Sequence, residues 1–194
     1  MPDPIDAPET LRGRHVALVP LGASHYDWLY RTATAPGTGT RWRLRGAIPR
    51  PEHFVDWVWQ GVLAQYVVVP RSGSAPIALV QCCDPDMRNQ HASFTVLVDA
   101  AHQGKGWPLE GALLCIDHLF ATWPFRKLYL EGLGPNLERL LSGSGVVVVE
   151  EGRLRQHEWF EQGWVDWVTY ALYRDAFVAA AAPHLEQIRA DVGR

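Results

Sequence analysis

Cysteine is scarce in this sequence and odd in number. Cys82, Cys83 and Cys115, two of them adjacent, make no disulfide framework, and a reducing cytoplasm fits them better. Positive charge is not in surplus either: a formal net charge of -3 leaves no broad basic face for nucleic acid. No apolar run approaches the roughly 18 residues that a membrane-crossing helix needs. The opening MPDPIDAPET lacks a basic stretch followed by an apolar one, so no signal peptide is read there. Internal repeats and low-complexity blocks are missing as well. These gaps together lead us to expect a cytoplasmic protein that binds neither nucleic acid nor membrane.

What is present suits one globular unit. The chain has 194 residues, 47% hydrophobic and 20% charged, enough for one sizeable core. Residues 1–10 read as a disordered tail and 11–194 as a single domain.

Arg14–Pro20 alternates and reads as a strand. Ser24, with Asp27 three residues on, resembles a capping box for a short helix carrying Tyr26, Leu29, Tyr30 and Ala33 on one face. APGTGT then breaks the chain. Pro51 suits a first helical turn, and Phe54, Val55, Val58 and Val62 recur at helical spacing. QYVVVP and PIALVQCC read as strands joined by RSGS, and ASFTVLV follows as a third. A helix is expected from about Pro108 to Ala121, then a strand KLYLEGL, a short helix NLERLLS stopped by GSG, and strands around a turn at Glu161–Gly163. The tail reads as a helix interrupted at Pro183. This order implies an α/β fold with a mixed sheet.

The chemistry concentrates in FTVLVDAAHQGKGWPLEGALL. A buried strand, a glycine-flanked turn and a helix start bring backbone N–H groups and a helix dipole to one point, which suits a phosphate or pyrophosphate. Gly104 and Gly106 let the backbone come close to an anion, and Lys105 adds a charge. Taken alone, the same residues are also compatible with a mere tight turn. The spacing fits neither a Walker A loop nor a dinucleotide-binding GxGxxG, whose third glycine would fall at Leu109.

Gln103–Pro108 resembles the coenzyme A signature of GNAT acetyltransferases, Q/R-x-x-G-x-G/A, and stands in that family's place between the fourth strand and the third helix. LRGRHVALVPL, PIALVQ, ASFTVLVD, FRKLYLEGLGPN and the stretch from Glu150 to Phe177 are similar, in order, to segments of the Rim-type branch, which acetylates ribosomal-protein α-amines and many small amines. The resemblance implies a GNAT fold, a mixed and mostly antiparallel sheet flanked by helices, and acetyl-CoA or another acyl-CoA as co-substrate. It implies that the strand around Val96 and Val98 pairs with the pantetheine arm, and that an N–H near Val98 polarises the thioester carbonyl. Gln103, Gly104, Lys105, Gly106 and Trp107 would surround the pyrophosphate. Asn136 matches the asparagine that reaches coenzyme A, a role compatible with capping the helix that follows. The acceptor would be a small-molecule amine or a peptide N-terminus, attacked directly in a ternary complex, and a homodimer is left open.

Two departures stand out. Pro108 replaces the last glycine or alanine of the signature and, as the expected first helical residue, withholds one N–H. The tyrosine that many relatives carry in the fourth helix is missing from NLERLLSGSGV; Ser142 or Ser144 could stand in as the acid, or both could simply end the helix. For the base, Glu131 is the first candidate, against a plain surface carboxylate or a partner of Arg126. These departures leave a rival open, a non-catalytic or repurposed domain that binds a ligand or partner. Arg41, Arg43 and Arg45 would share one face if extended, gripping an acidic substrate or the 3′-phosphate of coenzyme A, or remaining solvated. Of nine tryptophans, Trp159, Trp164 and Trp167 are expected to pack late strands, and Trp42, Trp57 or Trp59 to pack the core or line an acceptor pocket. Cys82, Cys83, Asp84, Asp86 and His91 lack metal-ligand spacing, so no metal is expected.

Overall fold

The computed structural model describes residues 11–73, 75–141 and 145–190. The expected tail at 1–10 and the serines Ser142 and Ser144 lie outside the described residues. In chain order the elements are β1 (Val16–Pro20), α1 (Tyr26–Thr34), α2 (Pro51–Val58), β2 (Val62–Pro70), β3 (Ala78–Asp86), β4 (His91–Val98), α3 (Gly106–Thr122), β5 (Lys127–Leu133), α4 (Gly134–Leu141), β6 (Val149–Phe160), β7 (Gly163–Tyr173) and α5 (Arg174–Ala190). Seven strands form one sheet in the order β1-β2-β3-β4-β5-β7-β6, antiparallel throughout except between β4 and β5. No described helix is long and apolar enough to cross a membrane.

Three expectations are corrected here. Ser24 does not open α1: it lies in a 3-10 turn, Ala23–His25, where the Gly22 N–H donates to His25 Nδ1 at 3.1 Å. Val62 starts β2 and does not extend α2, because the turn through Gly61 (φ 66°) separates them. Pro183 sits inside α5 and does not end it. The proline is exposed, while Phe177, Ala181 and Leu185 bury the other side of the helix, so packing offsets the backbone bond lost.

The sheet has two unlike faces. On one, Val16, Leu18, Val80, Phe94, Leu128 and Leu172 pack against α3 and α5. Helix α3 is buried nearly all round, Leu114 and Cys115 as well as the expected stripe. Arg174 closes its far end, donating to the carbonyls of Trp123 (2.6 Å), Phe125 (2.7 Å) and Phe120, three acceptors that this end of the helix and the loop beyond it would otherwise leave free. On the other face, Val67, Leu79 and Leu97 meet Leu29, Phe54 and Val58 of α1 and α2 in a smaller core. Trp42 and Leu44, from the connection between those helices, plug into it.

Candidate active site

The site starts where two strands part. β4 and β5 pair only over His91–Ser93 against Lys127–Tyr129. Beyond Ser93 and Tyr129 no pairing joins them among the described residues, while β4 stays in unbroken register with β3 from Ser93 to Val98. A fork therefore opens between Phe94–Val98 and Leu130–Leu133.

Strand alternation decides what faces the fork. The Asp99 N–H bonds Ile77 O at 3.0 Å, on the β3 side, while Gln90 O accepts from Arg126 N at 2.7 Å, on the β5 side. With a period of two counted back from Asp99, and no register shift between Ser93 and Val98, the backbone groups of Val96 and Val98 point into the fork, where no strand meets them among the described residues. Both residues named from the sequence thus lie on its open edge. At the root, Phe94, Val96, Ala112, Ile116, Leu130 and Leu141 line an apolar cavity of about 30 Å³.

At the mouth of the fork, Asp99 accepts from Ala101 N (2.9 Å), which starts a 3-10 turn leading into the Gln103–Trp107 loop. Gly104 has φ 75°, a conformation other residues rarely adopt, and side chains added at Gly104 or Gly106 would meet only open space. The loop is exposed from Gln103 to Trp107. α3 begins at Gly106, so Pro108 is its third residue, not its first, and it is buried. Helix geometry leaves the N–H groups of Gly106 and Trp107 without intrahelical acceptors. Trp107 stacks on His15 (centroids 6.0 Å, planes 18° apart), turning toward β1.

Glu110, which the sequence reading passed over, is a buried carboxylate one turn further on. It accepts from His15 N (2.8 Å) and Val16 N (3.4 Å), and pairs with His15 Nδ1 (2.8 Å). It thereby ties β1 to the start of α3 and stiffens the loop from behind. Its only trace in the sequence is a charged residue interrupting an apolar helix.

Glu131 lies beside the fork, on the α1–α2 face. Its Oε2 accepts from Ser93 Oγ (3.2 Å) and its Oε1 from Thr169 Oγ1 (3.1 Å). Arg126 is not its partner; that side chain donates to Asn89 O (3.2 Å). Glu131 is an exposed acceptor held by two hydroxyls from neighbouring strands. Asn136 is partly exposed in the first turn of α4, inside the helix and not at its cap.

The three arginines do not form one solvated face. Arg41 pairs with Glu161 (3.1 Å) over the Phe160 ring, and Arg45 with Glu158 (2.6 Å) over Trp167. Arg43 donates to Gln60 O (2.7 Å) over Trp57. The α1–α2 connection is thus strapped to the β6–β7 hairpin and to α2. Trp159 and Trp164 are exposed and meet edge to face at the hairpin tip, contrary to the packing expected of them.

All three cysteines are buried, and burial pushes the Cys82 thiol up to about 12 and the Cys83 thiol to about 11, with Cys115 raised further. None is poised as a thiolate nucleophile. An acyl group held in the fork would meet backbone donors on the β4 side and, through the opening, an acceptor approaching past Glu131.

No family model matches the chain, and no curated protein matches it. Solved structures do share its architecture. A spermidine N-acetyltransferase from Vibrio cholerae, solved with CoA and spermine, superposes with a TM-score of 0.72 at 17% identity, covering 84% of this chain and 98% of that one. A probable GNAT-family acetyltransferase from Chromobacterium violaceum gives 0.68 at 19%, covering 89% and 90%. RimL, a ribosomal L7/L12 α-N-protein acetyltransferase in complex with coenzyme A, gives 0.67 at 14%, covering 84% and 96%. At these identities the likeness speaks for the fold, and the fold is that of the GNAT acetyltransferases.

Proposed function

We propose that this GNAT-fold chain is an acyl-CoA-dependent N-acyltransferase that moves an acetyl group from acetyl-CoA to a primary amine, on a small molecule or at a peptide N-terminus. The carrying observation is the fork, with the unpaired backbone of Val96 and Val98 on one edge, a helix start at its mouth and Glu131 beside it. The extended pantetheine arm pairs with the Val96 and Val98 edge as a strand would. The pyrophosphate rests on the exposed loop, where Gly104 and Gly106 leave space, the Gly106 and Trp107 N–H groups donate and Lys105 adds charge.

The amine enters from the α1–α2 face, where Glu131 takes its proton, directly or through a water. The neutral amine attacks the thioester carbonyl, whose oxygen gathers charge beside the Val98 N–H. A C–N bond forms, the C–S bond breaks, and the coenzyme leaves as a thiol after taking up a proton. The raised thiols leave no cysteine to carry the acyl group, which favours direct transfer. Pro108 is buried under the loop, so packing accounts for it without a degenerate site. Asn136 is assigned to coenzyme A from its place at the start of α4.

The neighbours divide between a polyamine enzyme and an α-amine enzyme, and we place this chain with the Rim-type branch on the strength of the segments quoted from its sequence. A thiol-release assay with acetyl-CoA tests both points, using spermidine and an alanyl peptide with a free α-amine as acceptors. We expect amine-dependent release, faster with the peptide. Release with neither, together with no thermal stabilisation by millimolar acetyl-CoA, overturns the proposal.

A further inference from the structure

On the α1–α2 face, three polar residues stand directly opposite one another on adjacent strands. Gln65 of β2 faces Gln81 of β3, and Gln81 faces Thr95 of β4. They interrupt a surface otherwise made of Val67, Leu79 and Leu97. Gln65 is 3% exposed and Gln81 0%. Burying a carboxamide is unfavourable unless its bonds are replaced, so apolar side chains would serve the core at least as well. The row makes part of those bonds: Gln81 Nε2 donates to Gln65 Oε1 (2.7 Å) and Thr95 Oγ1 donates to Gln81 Oε1 (3.4 Å), while Gln65 Nε2 is buried with no partner among the described residues.

The row ends on a residue outside the sheet. Trp42 Nε1 donates to Thr95 Oγ1 at 3.3 Å, so the threonine hydroxyl is spent as donor to one neighbour and acceptor from the other. Trp42 is the buried middle of the α1–α2 connection, whose flanks are held by Arg41 and Arg45 to the hairpin. Gly39, early in this connection, would drive a Cβ to 2.3 Å from Ala33 O, so its path hugs the end of α1. Thr95 lies two residues from Ser93 on the same side of β4, and Ser93 holds Glu131. The indole is therefore linked to the carboxylate beside the fork through its bond to Thr95, two residues of β4, and the bond from Ser93.

We propose that Thr95 is a positioning residue for the acceptor side: through the row Gln65–Gln81–Thr95 it fixes the Trp42 indole as the wall along which an amine reaches Glu131. This rests on the acyltransferase reading. Thr95 touches neither the amine nor the acyl group; it acts through Trp42.

The test uses the full chain carrying Thr95→Val, Thr95→Ser or Trp42→Phe, with the alanyl peptide and spermidine as acceptors. Thr95→Val keeps the shape of the side chain and leaves the indole N–H without its acceptor. KM for the acceptor should rise about tenfold in Thr95→Val, with kcat within about threefold and acetyl-CoA affinity unchanged. Thr95→Ser should restore KM, and Thr95→Val combined with Trp42→Phe should be no worse than either alone. Hydrogen exchange at amides 39–46 should accelerate in Thr95→Val while amides 100–107 keep their rates. An unchanged KM, a fall in acetyl-CoA affinity, no rescue by serine or unaltered exchange at 39–46 each overturns the proposal. Should wild type transfer to neither acceptor, the acyltransferase reading fails on its own, and the exchange measurement still decides whether Thr95 anchors Trp42.

Discussion

On the face covered by α3 and α5, the sheet presents an apolar surface to one helix buried nearly all round, α3, and to one buried along a single side, α5; on the face covered by α1 and α2, a smaller core is crossed by a polar row and strapped by arginines. The first arrangement is what a chain uses to hold a backbone still. It sets α3 against β1, β2 and β3, and so fixes the loop at the mouth of the fork. The second gives up apolar burial for directional bonds, which fix individual side chains. On the proposed reading, one face supports the cofactor and the other shapes the approach of the acceptor.

Function separates the faces most sharply. Glu131→Gln should lower kcat/KM by about 10²–10³, the scale of losing a positioned general base, with acetyl-CoA binding intact. A loss below about threefold would remove Glu131 from the acceptor side.

Stability separates them next. Leu114→Ala on the large core should cost about 3 kcal/mol in urea unfolding, since it leaves a cavity that the sheet cannot collapse to fill. Gln81→Leu on the smaller face should cost about 2 kcal/mol by orphaning the Gln65 and Thr95 side chains. Adding Gln65→Leu should recover about half of that, because removing both partners of a buried bond is nearly neutral. A double variant worse than Gln81→Leu would mean that the row is held by something other than its own bonds.

The loop comes third. Gly104→Val should weaken acetyl-CoA about tenfold, both by filling the open space and by straining a residue at φ 75°. Unchanged affinity would reduce Gln103–Trp107 to a turn.

The smallest effect is in pH, and it touches both faces. Desolvation lowers His118, on α3 beside Tyr66, and His25, before α1, below the ordinary value of 6.5. The unfolded chain then binds more protons than the folded one as pH drops below about 6.5, so stability is full above that value and falls beneath it. The urea midpoint should decline between pH 7.5 and 5.5, and His118→Gln should lessen the decline. An equal decline in that variant would assign the acid sensitivity elsewhere.

Most of the strand order and the Gln103–Trp107 loop were legible because each rests on local pattern: alternation, turn residues, a glycine pair before an apolar helix. The place of Glu131 on β5 beside the parting strands was legible, though its Ser93 and Thr169 partners were not. The polar row was hidden because Gln65, Gln81 and Thr95 become neighbours only once the register of three strands is known. Each is a lone polar residue in an apolar run, a signal present but ambiguous. The arginines were misjudged for a similar reason: Arg41 finds Glu161 across 120 residues and Arg45 finds Glu158 across 113, far beyond any local rule. Pro183 misled in the opposite direction, a strong local stop overridden by the burial of Phe177 and Leu185.

The central claim, that the fork takes acetyl-CoA along the free edge of β4, is tested most directly by following backbone amide resonances during an acetyl-CoA titration. Val96, Val98, Gly104 and Gly106 should shift together and saturate, while Leu97 and Asp99, whose N–H groups face β3, shift far less. No saturable shift at millimolar acetyl-CoA, or shifts confined to α1 and α2, would contradict it.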